Sequence, residues 1–142
     1  MFVLDTNVVS ELRKASAGKA ETNVITWAAS VATDTLFLSV VTIFELELGV
    51  LQLERRDPAQ GALLRTWLDG HVIRAFEGRI LPIDSTVARR SARLHVPDRC
   101  SDRDAMIAAT ALAQGMAVVT RNTHDFERTG VQTINPWNHT GK

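Results

Sequence analysis

The sequence predicts an α/β fold in which helices flank a central parallel β-sheet. Short apolar runs rich in Val, Ile, Leu and Phe alternate with longer segments of helical periodicity, which is typical of β-α-β units. The chain has 142 residues, 45% of them hydrophobic, and this length and composition suit one domain with a real core. It contains no repeat, low-complexity tract or linker, so we predict a single domain over residues 1–142.

Five strands and six helices are predicted from the hydrophobic spacing, with breaks at Asp57-Pro58 and at Gly78. The strands are short apolar runs at Phe2–Leu4, Leu36–Ser39, Ile80–Ile83, Ala117–Thr120 and Val131–Ile134. The helices show apolar residues three and four positions apart and cover Val8–Lys14, Asn23–Val31, Thr42–Arg55, Ala59–Ala75, Ser85–Val96 and Asp104–Gln114.

Charge and cysteine content exclude several classes of protein. Sixteen basic residues balance sixteen acidic ones, so the chain lacks the overall basic field that is typical of nucleic-acid binding. The single Cys100 excludes an intramolecular disulfide, and four scattered His residues show no zinc-site spacing. No apolar run approaches the roughly 18 residues of a membrane span, and the N-terminus has no signal-peptide pattern. We therefore expect a soluble, cytoplasmic protein.

Four carboxylates fall where an open parallel sheet binds its ligands, outside the carboxyl ends of the strands. Asp5 ends the first strand in "FVLDTN", and Glu45 lies in the helix that follows "LFLSVVT". Asp104 opens the helix "DAMIAATALAQG", and Asp125 follows the strand "AVVT". Four converging carboxylates would repel one another unless a hard divalent cation were bound, and oxygen-only ligands favour Mg²⁺ or Mn²⁺.

Each carboxylate also has a purely structural interpretation. Asp5 is a good N-cap type ahead of "VVSEL", and Asp125 suits a turn or the N-cap of "FERTG". Thr42-x-x-Glu45 and Ser101-x-x-Asp104 both have capping-box spacing. Capping explains each residue alone, but it does not explain why all four recur at the same edge of the sheet.

Four sequence blocks carry a family resemblance. "LDTNVVSEL", "SVVTIFELELGV", "DAMIAATALAQG" and "VVTRNTHDF" have the order and spacing found in PIN-domain ribonucleases. Over nearly its whole length the chain resembles VapC-type toxins of bacterial toxin–antitoxin pairs, including their FitB-like branch, to which the ending "TINPW" is also similar. The resemblance implies a PIN-like fold and metal-dependent endonucleolytic cleavage of RNA.

The resemblance also assigns the carboxylates. Asp5 matches the first acidic ligand and Glu45 the second. Asp104 matches the third and is preferred to the neighbouring Asp102, because the family pattern places the acid three residues before "IAA".

The fourth ligand position stays open between Asp125 and Asn122. A further set of polar side chains is expected to hold the carboxylates or a water on the metal: Thr6, Asn7, Thr42, Thr120 and Asn122. For Thr6 and Thr42, a purely structural capping role is an open alternative.

The implied chemistry is hydrolysis by a water that one or two Mg²⁺ ions activate, with Mn²⁺ as a possible substitute, giving 5′-phosphate and 3′-hydroxyl ends. The implied partners are an RNA substrate, a small DNA-binding cognate antitoxin and a second copy of the chain. The apolar stretch "FELELGVLQL" suits a dimer or antitoxin surface, and core packing explains it equally well. The alternative from a different class is a non-catalytic PIN-fold protein that captures RNA or a partner protein.

Arginine supplies thirteen of the sixteen basic residues, and this side chain is suited to bidentate phosphate contacts. The helix "STVARRSARLHV" places several arginines on one arc, and two more follow toward Asp104. The candidate RNA contacts are Arg89, Arg90, Arg93, Arg99 and Arg103. A solvated helix face or an antitoxin-binding surface explains the same pattern.

Overall fold

A computed structural model describes residues 1–141, and Lys142, the last residue of the predicted domain, lies outside the described residues. The fold is built on a five-stranded sheet with the strand order β3-β2-β1-β4-β5. The strands are β1 (Phe2–Leu4), β2 (Leu36–Ser39), β3 (Ile80–Leu81), β4 (Ala117–Val119) and β5 (Thr133–Ile134). All of their pairings are parallel, with Phe2 of β1 opposite Leu36 on one side and Ala117 on the other. The predicted α/β fold with a central parallel sheet is confirmed.

Helices cover both faces of the sheet. They are α1 (Thr6–Arg13), α2 (Thr22–Ala29), α3 (Val40–Arg56), α4 (Pro58–Trp67), α5 (Ile73–Ala75), α6 (Ser85–Arg93) and α7 (Asp102–Gln114). The single helix predicted over residues 59–75 is instead α4, a π-helical turn at Leu68–Val72 and α5. Within residues 1–141, none of the helices has the length and apolar character that a membrane crossing requires.

Three predicted strands are too long, because a buried apolar residue need not be paired in a sheet. The clearest case is Val131, which was assigned to the last strand although β5 begins at Thr133. Its backbone N–H donates to the Thr129 hydroxyl at 3.3 Å, while its side chain packs in the same core cluster as Val118 and Phe126. The apolar signal at this position reports core packing and not strand pairing.

The core lies on both faces of β1. Val3 is fully buried with Ile107 of α7, and the next residue, Leu4, is fully buried on the opposite face with Leu38 and Val50. A parallel sheet covered on both faces has strands that are apolar throughout, as β1 is. The first polar residue after this strand is Asp5, whose backbone N–H donates to the Val119 carbonyl at 2.8 Å and so extends the β1–β4 pairing.

Close packing of α3 against α4 fixes the helix that carries Glu45. Gly61 of α4 lies so close to α3 that an added Cβ would come within 2.4 Å of the Glu54 Cα. The Arg65 guanidinium of α4 binds the Glu47 carboxylate in a fork, with N–O distances of 2.7 and 2.6 Å. Planar bidentate contact of this kind is geometrically specific, so α3 is held firmly in place.

Candidate active site

Asp5 lies at the carboxyl end of β1 with 7% of its surface exposed. Its Oδ1 accepts a hydrogen bond from the Thr6 backbone N–H at 2.8 Å, so Asp5 also caps α1. Its Oδ2 accepts from the Thr120 hydroxyl at 2.8 Å and from the Asn7 amide at 3.3 Å. Burial raises the pKa of Asp5, and the hydrogen bonds from Thr120 and Thr6 lower it in part. The carboxylate is therefore fixed in one orientation by groups from β4 and α1.

Glu45 lies in the second turn of α3 and is joined to the end of β1 through Thr6. The Thr6 hydroxyl oxygen is 2.9 Å from Glu45 Oε1 and 3.2 Å from the Thr42 hydroxyl oxygen. The N-cap of α3 is Ser39, whose hydroxyl accepts from the Val41 N–H at 3.0 Å. Thr42 is thus inside the helix, and the capping-box interpretation of Thr42 and Glu45 is wrong.

Asp104 lies in the first turn of α7, where the Ser101 hydroxyl accepts its backbone N–H at 3.4 Å. Ser101 is therefore the N-cap, as its spacing predicted. Burial and, after it, the negative charges of Asp5, Asp125 and Glu45 together raise the pKa of the Asp104 carboxyl to about 6. The structure accordingly brings the four predicted carboxylates into one electrostatically coupled cluster.

Asp102 lies outside this cluster. Its carboxylate, which is 58% exposed, contacts the Arg99 guanidinium at 3.0 Å and His95 Nε2 at 3.4 Å. Its charge is absent from the causes that raise the pKa of Asp5 and Asp104. The structure thus separates Asp104 from its sequence neighbour, in agreement with the preference for Asp104.

Both candidates for the fourth position lie in the segment after β4. Asp125 lies inside the 3₁₀-helical stretch Thr123–Thr129, so it is not the N-cap of this segment. Its charge raises the pKa of both Asp5 and Asp104. Asn122 acts through its backbone N–H, which donates to the Thr120 hydroxyl at 3.0 Å. Of the two candidates, Asp125 is the one whose charge acts on the other carboxylates.

Arg103 connects α7 to α3 at the edge of the cluster. One guanidinium nitrogen is 3.6 Å from Glu45 Oε2, and the guanidinium carbon lies 4.9 Å from the centre of the Phe44 ring. The ion pair and the cation–π contact hold a positive charge beside the carboxylates. Arg103 is therefore the predicted RNA-contact residue that lies nearest to Glu45 in this structure.

A polar cleft of about 360 Å³ opens beside the cluster. Asp104 and Asp125 line it, together with Arg99, Cys100, Ser101, His124, Arg128 and Thr129. Arg99 was among the predicted RNA contacts, whereas Arg89, Arg90 and Arg93 of α6 do not line this cleft. Sequence analysis missed His124 and Arg128. The signal was available, since both flank Asp125 in "THDFER".

The donor set fits a hard divalent cation. The four clustered side chains offer carboxylate oxygens, which Mg²⁺ and Mn²⁺ prefer. Within residues 1–141, no three His, Cys, Asp or Glu side chains stand together closely enough to hold a metal ion as they are placed. Burial and then the neighbouring carboxylate charges raise the pKa of Asp104, and a bound cation would offset those charges. Mg²⁺ keeps several waters and needs only one or two direct carboxylates, so it would not require all four side chains to contact it.

Comparison with known proteins places this geometry in a family. The sequence model described as the PIN domain matches residues 2–132, which is most of the chain. The chain belongs to the PIN-domain family. The predicted resemblance is thereby confirmed, since the relatives below include a VapC ribonuclease and the toxin FitB.

Relatives of this PIN-domain chain match it from end to end. VapC ribonuclease Y4jK of Sinorhizobium fredii is 40% identical over 144 residues, covering 96% of this chain and 98% of the relative. Toxin FitB of Neisseria gonorrhoeae is 34% identical over 143 residues, covering 96% and 99%. A chain from the structure of FitAB bound to an IR36 DNA fragment superposes with a TM-score of 0.87 at 32% identity, covering 99% of this chain and 98% of that one.

Proposed function

We propose that this protein is the toxin of a toxin–antitoxin pair and that it acts as a Mg²⁺-dependent endoribonuclease. The observation that carries the proposal is the grouping of four carboxylates at the carboxyl end of the sheet, where Thr6 joins Asp5 to Glu45 and one cleft is lined by both Asp104 and Asp125. The relatives support a nuclease and toxin role for these carboxylates, since proteins similar to this chain over their whole length are named as a ribonuclease and as a toxin.

The four carboxylates would hold the cation, Mg²⁺ or in its place Mn²⁺. When bound, it supplies an activated water and neutralises charge on the scissile phosphodiester. The chain's own contribution is preorganisation. Asp5 is fixed by three hydrogen bonds and Glu45 by the Thr6 hydroxyl, so each side chain loses little freedom when it binds a ligand. No protein nucleophile is required, and the expected products carry 5′-phosphate and 3′-hydroxyl ends.

Three hydroxyl or amide side chains support this arrangement. Thr120 and Asn7 contact Asp5 and also lie 3.3 Å from each other, while Thr42 supports Thr6. We propose that these groups orient the carboxylates, as outer hydrogen-bond partners do in metal sites. The backbone N–H of Asn122 adds to the same network through Thr120.

RNA is the proposed substrate, although the net charge of the chain is zero. Bound cations would offset the four clustered carboxylates and leave an excess of positive charge around them. Arg103 and Arg99 border the cluster, and Arg89, Arg90 and Arg93 are proposed as outer contacts from α6. Because the proposed substrate is RNA, we propose that the protein acts in the cytoplasm. We also propose that residues 1–142 act as one domain.

The proposed protein partners are a small DNA-binding antitoxin and a second copy of the chain. The antitoxin is supported by the similarity to FitAB, which was solved on a DNA fragment. The homodimer is supported by large apolar side chains exposed on α3 and α4, namely Phe44, Leu51 and Leu63 at 54%, 52% and 60%. In the stretch "FELELGVLQL", Leu46 and Val50 are buried, so core packing explains only part of its apolar character.

Cleavage of single-stranded RNA by the purified chain tests the proposed activity. We expect cleavage in MgCl₂ or MnCl₂ and none in excess EDTA, because the carboxylate cluster offers only oxygen ligands. Gel electrophoresis of an end-labelled RNA, followed by phosphatase treatment, measures both the cleavage and the 5′-phosphate. Full activity in excess EDTA would contradict the metal mechanism. RNA binding without cleavage in either salt would favour a non-catalytic binding protein.

A further inference from the structure

Basic side chains also line the cleft beside Asp104 and Asp125. Arg99 enters it from the loop before α7, and His124 and Arg128 enter from the segment after β4. Ser101, the N-cap of α7, also lines the cleft, and the first backbone N–H groups of this 13-residue helix carry partial positive charge. Acidic and basic side chains therefore share one cleft without neutralising each other in pairs.

Arg128 is the best positioned of these basic residues. Its guanidinium donates to the Asp98 carbonyl, which ties the segment after β4 to the loop before α7. In the described part of the chain, Arg128 has no carboxylate within salt-bridge distance, whereas Arg99 contacts Asp102 at 3.0 Å and His124 contacts Glu127 at 3.3 Å. A guanidinium held by a neutral carbonyl keeps its full charge and retains free N–H donors for an anion.

We propose that this cleft is a subsite for one backbone phosphate of the RNA strand, next to the scissile phosphate, and that Arg128 is its main positioning residue. The inference rests on the proposed function, because the carboxylate cluster defines where the scissile phosphate lies. Asp104 and Asp125 belong to both the cluster and the cleft, so a strand that reaches the carboxylates has its neighbouring phosphate at Arg128. Contacts to phosphates set the register of a strand and carry no base specificity.

RNA binding in EDTA separates this subsite from catalysis. Fluorescence anisotropy of a labelled single-stranded RNA at low salt should show Arg128→Gln binding about fivefold to tenfold more weakly than the parent. The slope of log affinity against log salt concentration should fall by about 0.7, the value for one phosphate contact of a single strand. Arg74→Gln removes the same charge from α5, outside the cleft and outside the proposed RNA contacts, and should leave the slope nearly unchanged.

Alkylation of the single cysteine provides an independent measure of RNA binding in the cleft, because Cys100 lines the cleft and is partly exposed. Saturating RNA should slow alkylation of Cys100 by iodoacetamide in the parent, and the same RNA concentration should protect it much less in Arg128→Gln. Arg128→Lys keeps a positive charge and should retain most of the salt slope, and thermal melting of each variant checks that it is folded.

Several outcomes would overturn the subsite. They are a parent that does not bind RNA in EDTA, an Arg128→Gln variant that binds no more weakly than Arg74→Gln, and Cys100 alkylation that RNA leaves unchanged. If the proposed nuclease function is wrong and the subsite is correct, RNA binds through Arg128 and is not cut in MgCl₂. If the proposed nuclease function is correct and the subsite is wrong, Arg128→Gln cleaves RNA with the parent's KM and kcat. If both are correct, KM rises and kcat changes little.

Discussion

Replacing Asp104 with Asn is expected to reduce RNA cleavage at least about 100-fold while leaving the fold intact. Losing an outer hydrogen-bond partner of a metal site already costs up to about 100-fold, so loss of a direct carboxylate should cost more. Asn keeps the shape of the side chain, and the Ser101 hydroxyl still accepts the backbone N–H of residue 104. Asp5→Asn should behave in the same way, because Asn also serves as an N-cap and can still accept from the Thr6 N–H.

The matched control is Asp102→Asn, two residues away on the same helix. Asp102 pairs with Arg99 and His95 outside the cluster, so this variant should cleave RNA like the parent. Initial rates measured per folded molecule, with circular dichroism as the measure of folding, distinguish the cases. Loss of stability with unchanged cleavage in Asp5→Asn and Asp104→Asn would show that both carboxylates are structural.

The stability advantage of Asp104→Asn over the parent should decrease as the pH falls, because the pKa of Asp104 is raised in the folded protein. A folded-state pKa of about 6 lies above the ordinary aspartate value of 3.8, so ionised Asp104 opposes folding at neutral pH. Without divalent cations, Asp104→Asn should therefore melt at a higher temperature than the parent at pH 7. The difference should shrink as the pH falls through 6 toward 4, because the parent then gains its proton. Melting curves in EDTA at several pH values measure this.

Coexpression with the neighbouring antitoxin gene is expected to abolish the toxicity of this protein. Expressed alone, the parent should arrest growth, because uncontrolled RNA cleavage depletes transcripts. Expressed with the product of a short reading frame directly upstream, it should permit normal colony formation and copurify as a stable complex. Colony counts after induction measure the effect, and Asp104→Asn, which should be harmless alone, controls for the burden of expression. Toxicity that no neighbouring gene product relieves would contradict the assignment as a toxin.

The sheet and the strand-end acids were predictable because local pattern and tertiary structure agree there. Strand β1 is apolar on both faces and ends at Leu4, so the first polar side chain, Asp5, falls at the carboxyl edge. The blocks around Glu45 and Asp104 are long helical patterns, and the structure has helices there, α3 and α7, each beginning two residues before the predicted start. Element ends were less accurate, as the predicted strand over residues 80–83, which stops at Leu81, shows.

What could not be predicted depends on contacts between distant segments. Nothing in the sequence around Arg103 indicates that it reaches Glu45 and Phe44 on another helix. The hydrogen bond from Arg128 to the Asp98 carbonyl likewise depends on how two loops pack, because these residues are 30 positions apart in the sequence. The π-helical turn at Leu68–Val72 has the same apolar spacing as the α-helix around it, so periodicity does not reveal it.

Thermal stabilisation by Mg²⁺ tests the central claim most directly, namely that Asp104 and its partner carboxylates bind the catalytic cation. A ligand that binds the folded state stabilises it by about 2.7 kcal/mol at a concentration 100-fold above its Kd. Melting curves over a MgCl₂ titration at pH 7 should show a saturable rise in the Tm of the parent and of Asp102→Asn, and a much smaller rise for Asp104→Asn. An equal rise for Asp104→Asn and the parent would contradict the account.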